Sequence, residues 1–265
     1  MKTAVAKKEI ESALANRFGA VFERREKQPG EIVPTGVPEI DAVLNGFPRG
    51  AITEIHGAAS SGRTSLLLSA LAFATGQEET CALIDCSDTF DPTSGAKARV
   101  DFDRLLWVRC NSNLERAFKA TDLLLHGGGF GLVALNLADV PSRNARRIIS
   151  SWWFRFRRSL ENTPTALIVI TPVPCIRSCA TLVLELMNES IVWPSTMSLV
   201  LDNHDARVTM RRGSHLSLVE DSTRQRGSYF SALTHARLLE RIRVQVNRER
   251  PIAWTVGSAK FESVR

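Results

Sequence analysis

The sequence predicts an α/β fold: a mostly parallel central sheet flanked by helices, extended by antiparallel strands in its C-terminal part. Three observations carry that prediction. Short apolar runs alternate with helical patterns between residues 51 and 171, as in βαβ units whose sheet is covered on both faces. A glycine-bounded loop, Gly57 to Thr64, stands between one such run and an apolar helix. From Ala180 onward the pattern changes to strands joined by polar turns. At 265 residues, 44% of them hydrophobic, the chain is long enough for one sizeable domain with a packed core.

In chain order, residues 7–27 read as an amphipathic helix with Ile10, Leu14, Phe18, Val21 and Phe22 on one stripe. Gln28, Pro29, Gly30 and Glu31 link it to the core. Ile40, Val43, Leu44 and Phe47 suit a short helix ended by Gly46 and Pro48. A buried strand follows at 51–56, and Leu66, Leu67, Leu68, Ala70 and Leu71 mark the helix beyond the loop. Buried strands are expected at 82–85, 105–108, 132–137 and 166–171. Helices are expected at 113–125 and 141–160, with Gly127, Gly128 and Gly129 breaking the chain between them. Strands at 181–186, 198–201, 206–210 and 242–246 form the antiparallel extension, and 213–227 reads as a polar loop.

The loop carries the chemistry. Gly57, four residues, Gly62, Arg63 and Thr64 fit the phosphate-loop spacing G-x-x-x-x-G-K-[ST], with arginine in place of lysine. Two glycines let the backbone wrap around Ser60 and Ser61 so that N–H groups point inward. The helix beginning near Arg63 adds its positive dipole end. Thr64, followed by Ser65, stands where a hydroxyl would hold Mg²⁺. No cofactor is fixed by the sequence; ATP with Mg²⁺ is what such a loop would take. Arg63 keeps the charge, but a planar fork is not a compact ammonium at a crowded phosphate, so nucleotide binding is expected to be weakened or misaligned. The other reading is a Gly/Ser-rich turn without a ligand.

Residues 34–71, PTGVPEIDAVLNGFPRGAITEIHGAASSGRTSLLLSAL, resemble the entry to the core of the RecA recombinases. They resemble more closely still the RecA-like ImuA proteins, accessory members of bacterial inducible mutagenesis cassettes. The likeness continues through Leu83 to Pro92 and more loosely to about residue 186. It implies a RecA-like P-loop core over residues 31–186, after an N-terminal helix and linker at 1–30. Residues 187–265 would then form an antiparallel β extension of the same domain and a tail. In the family such an N-terminal helix docks on a neighbouring subunit; packing on its own core is the alternative here.

The resemblance also locates the ATPase positions. The glutamate that activates water falls on Ser87, which has no basicity near neutral pH. The metal-associated aspartate falls on Asn136, which brings no charge, and the loop lysine is Arg63. Three changes together imply a hydrolytic site that has decayed, with no significant ATPase activity and no catalytic residue. Asp85, Asp88 and Asp139 are the carboxylates that could compensate. Thr171 is either a polar sensor or an ordinary strand-end threonine.

Net charge is +6 with pI ≈ 9.4, a mild bias toward polyanions. Residues 141–160 hold six arginines and no acid, so that segment alone carries a charge equal to the whole chain's. Arg143, Arg146, Arg147, Arg157 and Arg158 lie mostly off its apolar stripe and are the candidates for contact with DNA phosphates. A solvated face, or one meeting an acidic partner, is the alternative. The family's second DNA loop would follow Thr171, but Pro172 and Pro174 make that stretch short and stiff.

Five cysteines without a C-x-x-C pair fit reduced thiols, three of them on buried strands, rather than disulfides or a metal site. No apolar run approaches a membrane span and no signal core is seen, so a cytoplasmic protein without membrane contact is expected. By resemblance to ImuA it would serve error-prone translesion synthesis, with RecA, an ImuB-like Y-family polymerase homologue and single-stranded or primed DNA as partners. A working DNA-dependent ATPase of the recombinase class is the alternative, and a purely protein-binding regulator a third reading.

Overall fold

The computed structural model describes residues 31–192, 196–200, 207–211, 241–250 and 258–264. The expected helix at 7–27 and loop at 213–227 lie outside them. The chain divides into two compact units, Met1–Asn188 with Val244–Phe261, and Glu189–Arg243 with Glu262–Arg265.

The described residues of the first unit begin with β1 (Ile32–Val33), α1 (Pro38–Leu44) and β2 (Phe47–Pro48), where β1 and β2 pair antiparallel. Pro38 starts α1 because its missing N–H is not needed there, and Asn45 ends it in the left-handed region at φ 61. Phe47 was expected on this helix but lies in β2, fully buried. The left-handed turn through Asn45 and Gly46 carries it off the helical stripe onto a strand that covers the same core.

Six parallel strands follow, five of them on the predicted alternation; the sixth, at 182–192, was expected in the antiparallel extension but lies parallel beside the strand at 51–57. They are β3 (Ala51–Gly57), β4 (Cys81–Asp85), β5 (Leu105–Arg109), β6 (Leu132–Asn136), β7 (Ala166–Thr171) and β8 (Leu182–Val192). In space they run β8, β3, β7, β6, β4, β5, with β11 (Arg241–Arg250) and β12 (Ser258–Val264) beyond β8. The strands β4, β6 and β7 are buried at every position, as two-sided cover requires. The strands expected at 198–201 and 206–210 pair antiparallel as predicted but do not extend this sheet: β9 (Thr196–Val200) and β10 (Arg207–Arg211) form a two-stranded sheet of their own in the second unit.

The helices are set by their caps. The first is α2 (Arg63–Gly76). A short helix not expected from the pattern, α3 (Pro92–Lys97), is nucleated by Asp91, whose carboxylate accepts from the amides of Thr93 and Ser94 at 3.0 Å each. Asn113 caps α4 (Leu114–Gly127) by accepting from Arg116 N at 3.0 Å, and Gly128 at φ 71 closes it. The helix expected at 141–160 is two: α5 (Ser142–Ala145) and α6 (Ser150–Leu160). Ile149 between them is extended at ψ 127, so the chain turns before Ser150 and the helical stripe restarts. An aromatic group seals α6 onto α4: Phe118 stacks on Phe156 at 5.6 Å and meets Trp153 edge-on at 5.0 Å.

The five cysteines are free thiols, and only Cys81 lies within a strand; Cys86 and Cys110 sit just past the ends of β4 and β5. Burial raises them all, Cys86 to about 11, which keeps these thiols protonated and unreactive. Among the described residues no helix is long and apolar enough to cross a membrane, and no cluster of side chains could hold a metal ion.

Candidate functional site

The C-terminal ends of β3, β4, β6 and β7 converge, and in open α/β sheets this end is where ligands bind. The loop from Gly57 to Gly62 crosses it above β3. Gly57 is required by close approach: a Cβ there would run into the carbonyl of Leu186 on β8. Gly62, at φ 88, is the N-cap of α2 and leaves the helix's first amides without a side-chain cap. Ser60 sits in the left-handed region at φ 59 and is exposed, while the Ser61 hydroxyl is buried without a hydrogen-bond partner. Thr64 is exposed on the first turn and Ser65 is half-buried behind it. Backbone, orphaned hydroxyl and helix end together fit a phosphate.

Arg63 does not join them. Its side chain is only 7% exposed and turns into the sheet end, where Nη1 donates to the carbonyl of Thr171 at 2.6 Å. Burial lowers its pKa, opposed by the nearby Asp139 carboxylate. The guanidinium therefore ties α2 to the end of β7 instead of facing the loop's cavity. The Thr171 hydroxyl is also engaged, donating to Glu54 Oε1 at 3.1 Å.

The other expected positions lie at the same sheet end. Ser87 follows β4, half-buried. Asn136 ends β6 and donates through Nδ2 to Asp85 Oδ1 at 3.4 Å, while its Oδ1 accepts from Ala138 N at 3.1 Å. Each candidate compensating carboxylate has a structural task. Asp85 is fully buried and accepts from Phe90 N at 2.8 Å. Asp88 accepts from Cys110 N at 3.0 Å and so holds the end of β5. Asp139 accepts from the Thr89 hydroxyl at 2.9 Å.

Two residues at this end were not singled out from the sequence. Glu54, in the middle of β3, is buried and accepts from Cys175 N at 2.7 Å as well as from Thr171, pinning the short loop after β7. His56, one residue before Gly57, has Nε2 3.0 Å from Glu249 Oε2 on β11. A carboxylate inside an apolar strand was the only sequence signal for Glu54; its partners are more than a hundred residues away.

Burial raises the Glu54 pKa, against the lowering effect of its hydrogen bonds. With the folded value above the unfolded one, the protonated form is favoured by folding. That contribution is present below the ordinary glutamate range and is lost as pH rises through the raised value. Glu54→Gln keeps an acceptor without the charge and is expected to flatten this part of the stability–pH curve. Glu54→Leu leaves buried donors unmatched, at about 1–3 kcal/mol each. Melting temperature against pH for the three proteins checks this; an unchanged slope in Glu54→Gln would refute it.

The basic segment is divided by the break before α6. Arg143, Arg146 and Arg147 are exposed at the start of the segment, and Arg157 and Arg158 in the last turn of α6. The turn at Ile149 and most of α6 separate the two groups. None of the five makes an ion pair with a described residue. Arg155, the sixth, is committed to Asp122 on α4 by paired bonds of 2.6 and 2.5 Å.

Comparison with known proteins adds to this geometry. The family model described as the RecA N-terminal domain matches residues 2–144. Protein RecA of Leifsonia xyli subsp. xyli is 38% identical over 113 residues, 42% of this chain and 31% of that protein. Protein RecA of Clavibacter michiganensis subsp. michiganensis is 36% identical over 138 residues, 49% of this chain and 38% of that protein. Protein RecA of Ectopseudomonas oleovorans is 32% identical over 159 residues, 54% of this chain and 45% of that protein. The chain thus spans less than half the length of the curated relatives it matches.

Proposed function

Because the chain belongs to the RecA N-terminal domain family, we propose that it is a RecA-like accessory protein of damage-induced, error-prone translesion DNA synthesis, with the RecA scaffold kept and its motor lost. Residues 31–186 are its core in this reading, 1–30 an N-terminal helix and linker, and 187–265 an antiparallel extension with a tail. The observation that carries it is Arg63, drawn onto the Thr171 carbonyl at 2.6 Å in the position of the phosphate-loop lysine. Ser87 and Asn136 support it, because neither can supply the charge that water activation or metal binding needs.

The reading names RecA and an ImuB-like Y-family polymerase homologue as protein partners, on the resemblance to ImuA. Single-stranded or primed DNA is the third partner. Arg143, Arg146, Arg147, Arg157 and Arg158 would meet its phosphates without reading sequence, so binding would weaken steeply with salt. Gly57, Ser60, Ser61, Gly62, Thr64 and Ser65 would hold a nucleotide's phosphates, which here has a structural use at most.

Deleting the gene in its host tests the role. Damage-induced mutation is expected to fall to the uninduced level while recombination proceeds normally; a recombination defect with normal mutagenesis would overturn the reading. A DNA-dependent ATPase remains a second reading on one observation: Thr64 is exposed on the first turn of α2, open to a metal-bound phosphate.

A further inference from the structure

Where α5, the turn before α6 and the start of α4 meet, the surface holds a groove of about 330 Å³. Leu114 and Phe118 of α4 form one wall, and Ile148, Ile149 and Trp152 the other. Ile149 is 67% exposed, the most exposed of the large apolar residues among those described. A residue of that kind at a helix N-cap, where Ser, Thr, Asp or Asn would stabilise the helix, serves neither the core nor the cap. With Leu114, Phe118, Ile148 and Trp152 it forms a contiguous apolar surface, the kind that marks an interaction site where a lone exposed side chain would not.

The rim identifies the class of occupant. Arg147 lines the groove, and Arg143 and Arg146 stand on the same short segment, all exposed and without an ion pair to a described residue. The one acid in the lining, Glu115, is already paired with Lys119 at 2.6 Å. The surface therefore presents apolar walls with unopposed positive charge.

Stacked bases are a poor match for those walls. Trp152 has its ring against Phe118 at 5.5 Å and Phe156 at 5.9 Å, with the Arg155 guanidinium 5.7 Å away, and the most exposed lining group is an aliphatic isoleucine with no ring to stack on. The basic segment 1–30 of a second copy, with seven Lys and Arg against four Glu, is repelled rather than drawn.

We infer that this groove docks an amphipathic segment of a partner protein, its large apolar side chains over Ile149 and Trp152 and its carboxylates on Arg143, Arg146 and Arg147. This is helix- or strand-in-groove recognition with an acidic rim contact. It rests on the groove and its charges and stands whether or not the protein acts in mutagenesis; a segment docked here would compete with DNA phosphates for Arg143, Arg146 and Arg147, leaving Arg157 and Arg158 to DNA.

The test is selection of a display library of short random peptides on the full-length protein, followed by affinity measurement of the enriched peptides. Two variants serve as controls, Ile149→Asp and Arg146→Glu with Arg147→Glu. Ile149→Asp places a capping carboxylate at the N-cap of α6, so it is expected to fold at least as well as the parent. Enrichment of peptides that combine large apolar residues with Asp or Glu is expected, with affinity falling about tenfold or more in both variants. No enrichment, peptides without acids, or undiminished binding to Ile149→Asp would overturn the proposal. So would loss of oligothymidylate binding in Ile149→Asp without peptide enrichment, which would make the groove a nucleic-acid site. A change of oligomeric state in Ile149→Asp would make it an interface between copies and overturn it equally.

Discussion

Supplied with Mg-ATP and single-stranded DNA, the protein is expected to release no phosphate above background, and Arg63→Lys alone is expected to improve nucleotide binding without turnover. A positioned general base contributes about 10²- to 10⁴-fold to such a reaction, and Ser87 cannot supply it. Asn136 adds a second deficit. Its amide donates to the buried Asp85, a bond that an ionised carboxylate at the same place could not make. Asn136→Asp would set two buried acids side by side, and one would have to take up a proton or a cation. Restoring turnover is therefore expected to need Arg63→Lys, Ser87→Glu and Asn136→Asp together. Phosphate release by the parent and these variants measures it. Turnover by the parent that Thr64→Ala abolishes would establish a working ATPase and displace the adapter reading.

The largest effect on stability is expected from Phe156→Ala. Phe156 is fully buried on α6, stacked on Phe118 and 5.9 Å from both Trp152 and Trp153. Removing the ring leaves a cavity that rigid aromatic neighbours fill poorly, a loss of about 3–5 kcal/mol. In a chain of this size that lowers the melting temperature by about 10 °C. A decrease of only a degree or two would mean that α6 is held by something other than this cluster. The Arg155 pair to Asp122 is one alternative clamp, with half of that arginine in solvent, and the contact of Ser159 with His126 Nε2 at 3.3 Å is another. The same packing links stability to the groove, since Phe118 and Trp152 belong to both.

Much of the architecture was legible in the sequence. The strand at 166–171 is observed with the expected ends, and β4, β5 and β6 differ by a residue, because continuous apolar runs between turn residues leave little choice. The strand, loop and helix around Gly57–Thr64 were legible because the glycines stand at fixed spacing between an apolar run and a helical pattern. The single helix expected at 141–160 was not, since its apolar spacing survives the break: Ala145 and Ile148 belong to one side of the turn, and Trp153 and Phe156 to the other. Periodicity counts residues and does not register a change of direction. Phe47 misled for the same reason, lying one helical step from Leu44 but on a strand.

By itself the sequence determined the alternating α/β core, the loop at Gly57–Thr64, the exchange of lysine for arginine and the local excess of arginine before and along α6. These are properties of near neighbours in the chain, governed by spacing and residue type. Only the tertiary structure decided that Arg63 turns to Thr171 across 108 positions, that Glu54 holds Cys175 across 121, and that Arg155 is spent on Asp122 while Arg147 rims an apolar groove. Those choices depend on which strands lie side by side: β7 is set directly against β3, which brings Thr171 level with His56 and within reach of both Glu54 and the first turn of α2. A guanidinium placed beside a strand-end carbonyl in a buried setting is held by that hydrogen bond, and the pairing exists only once the sheet is assembled.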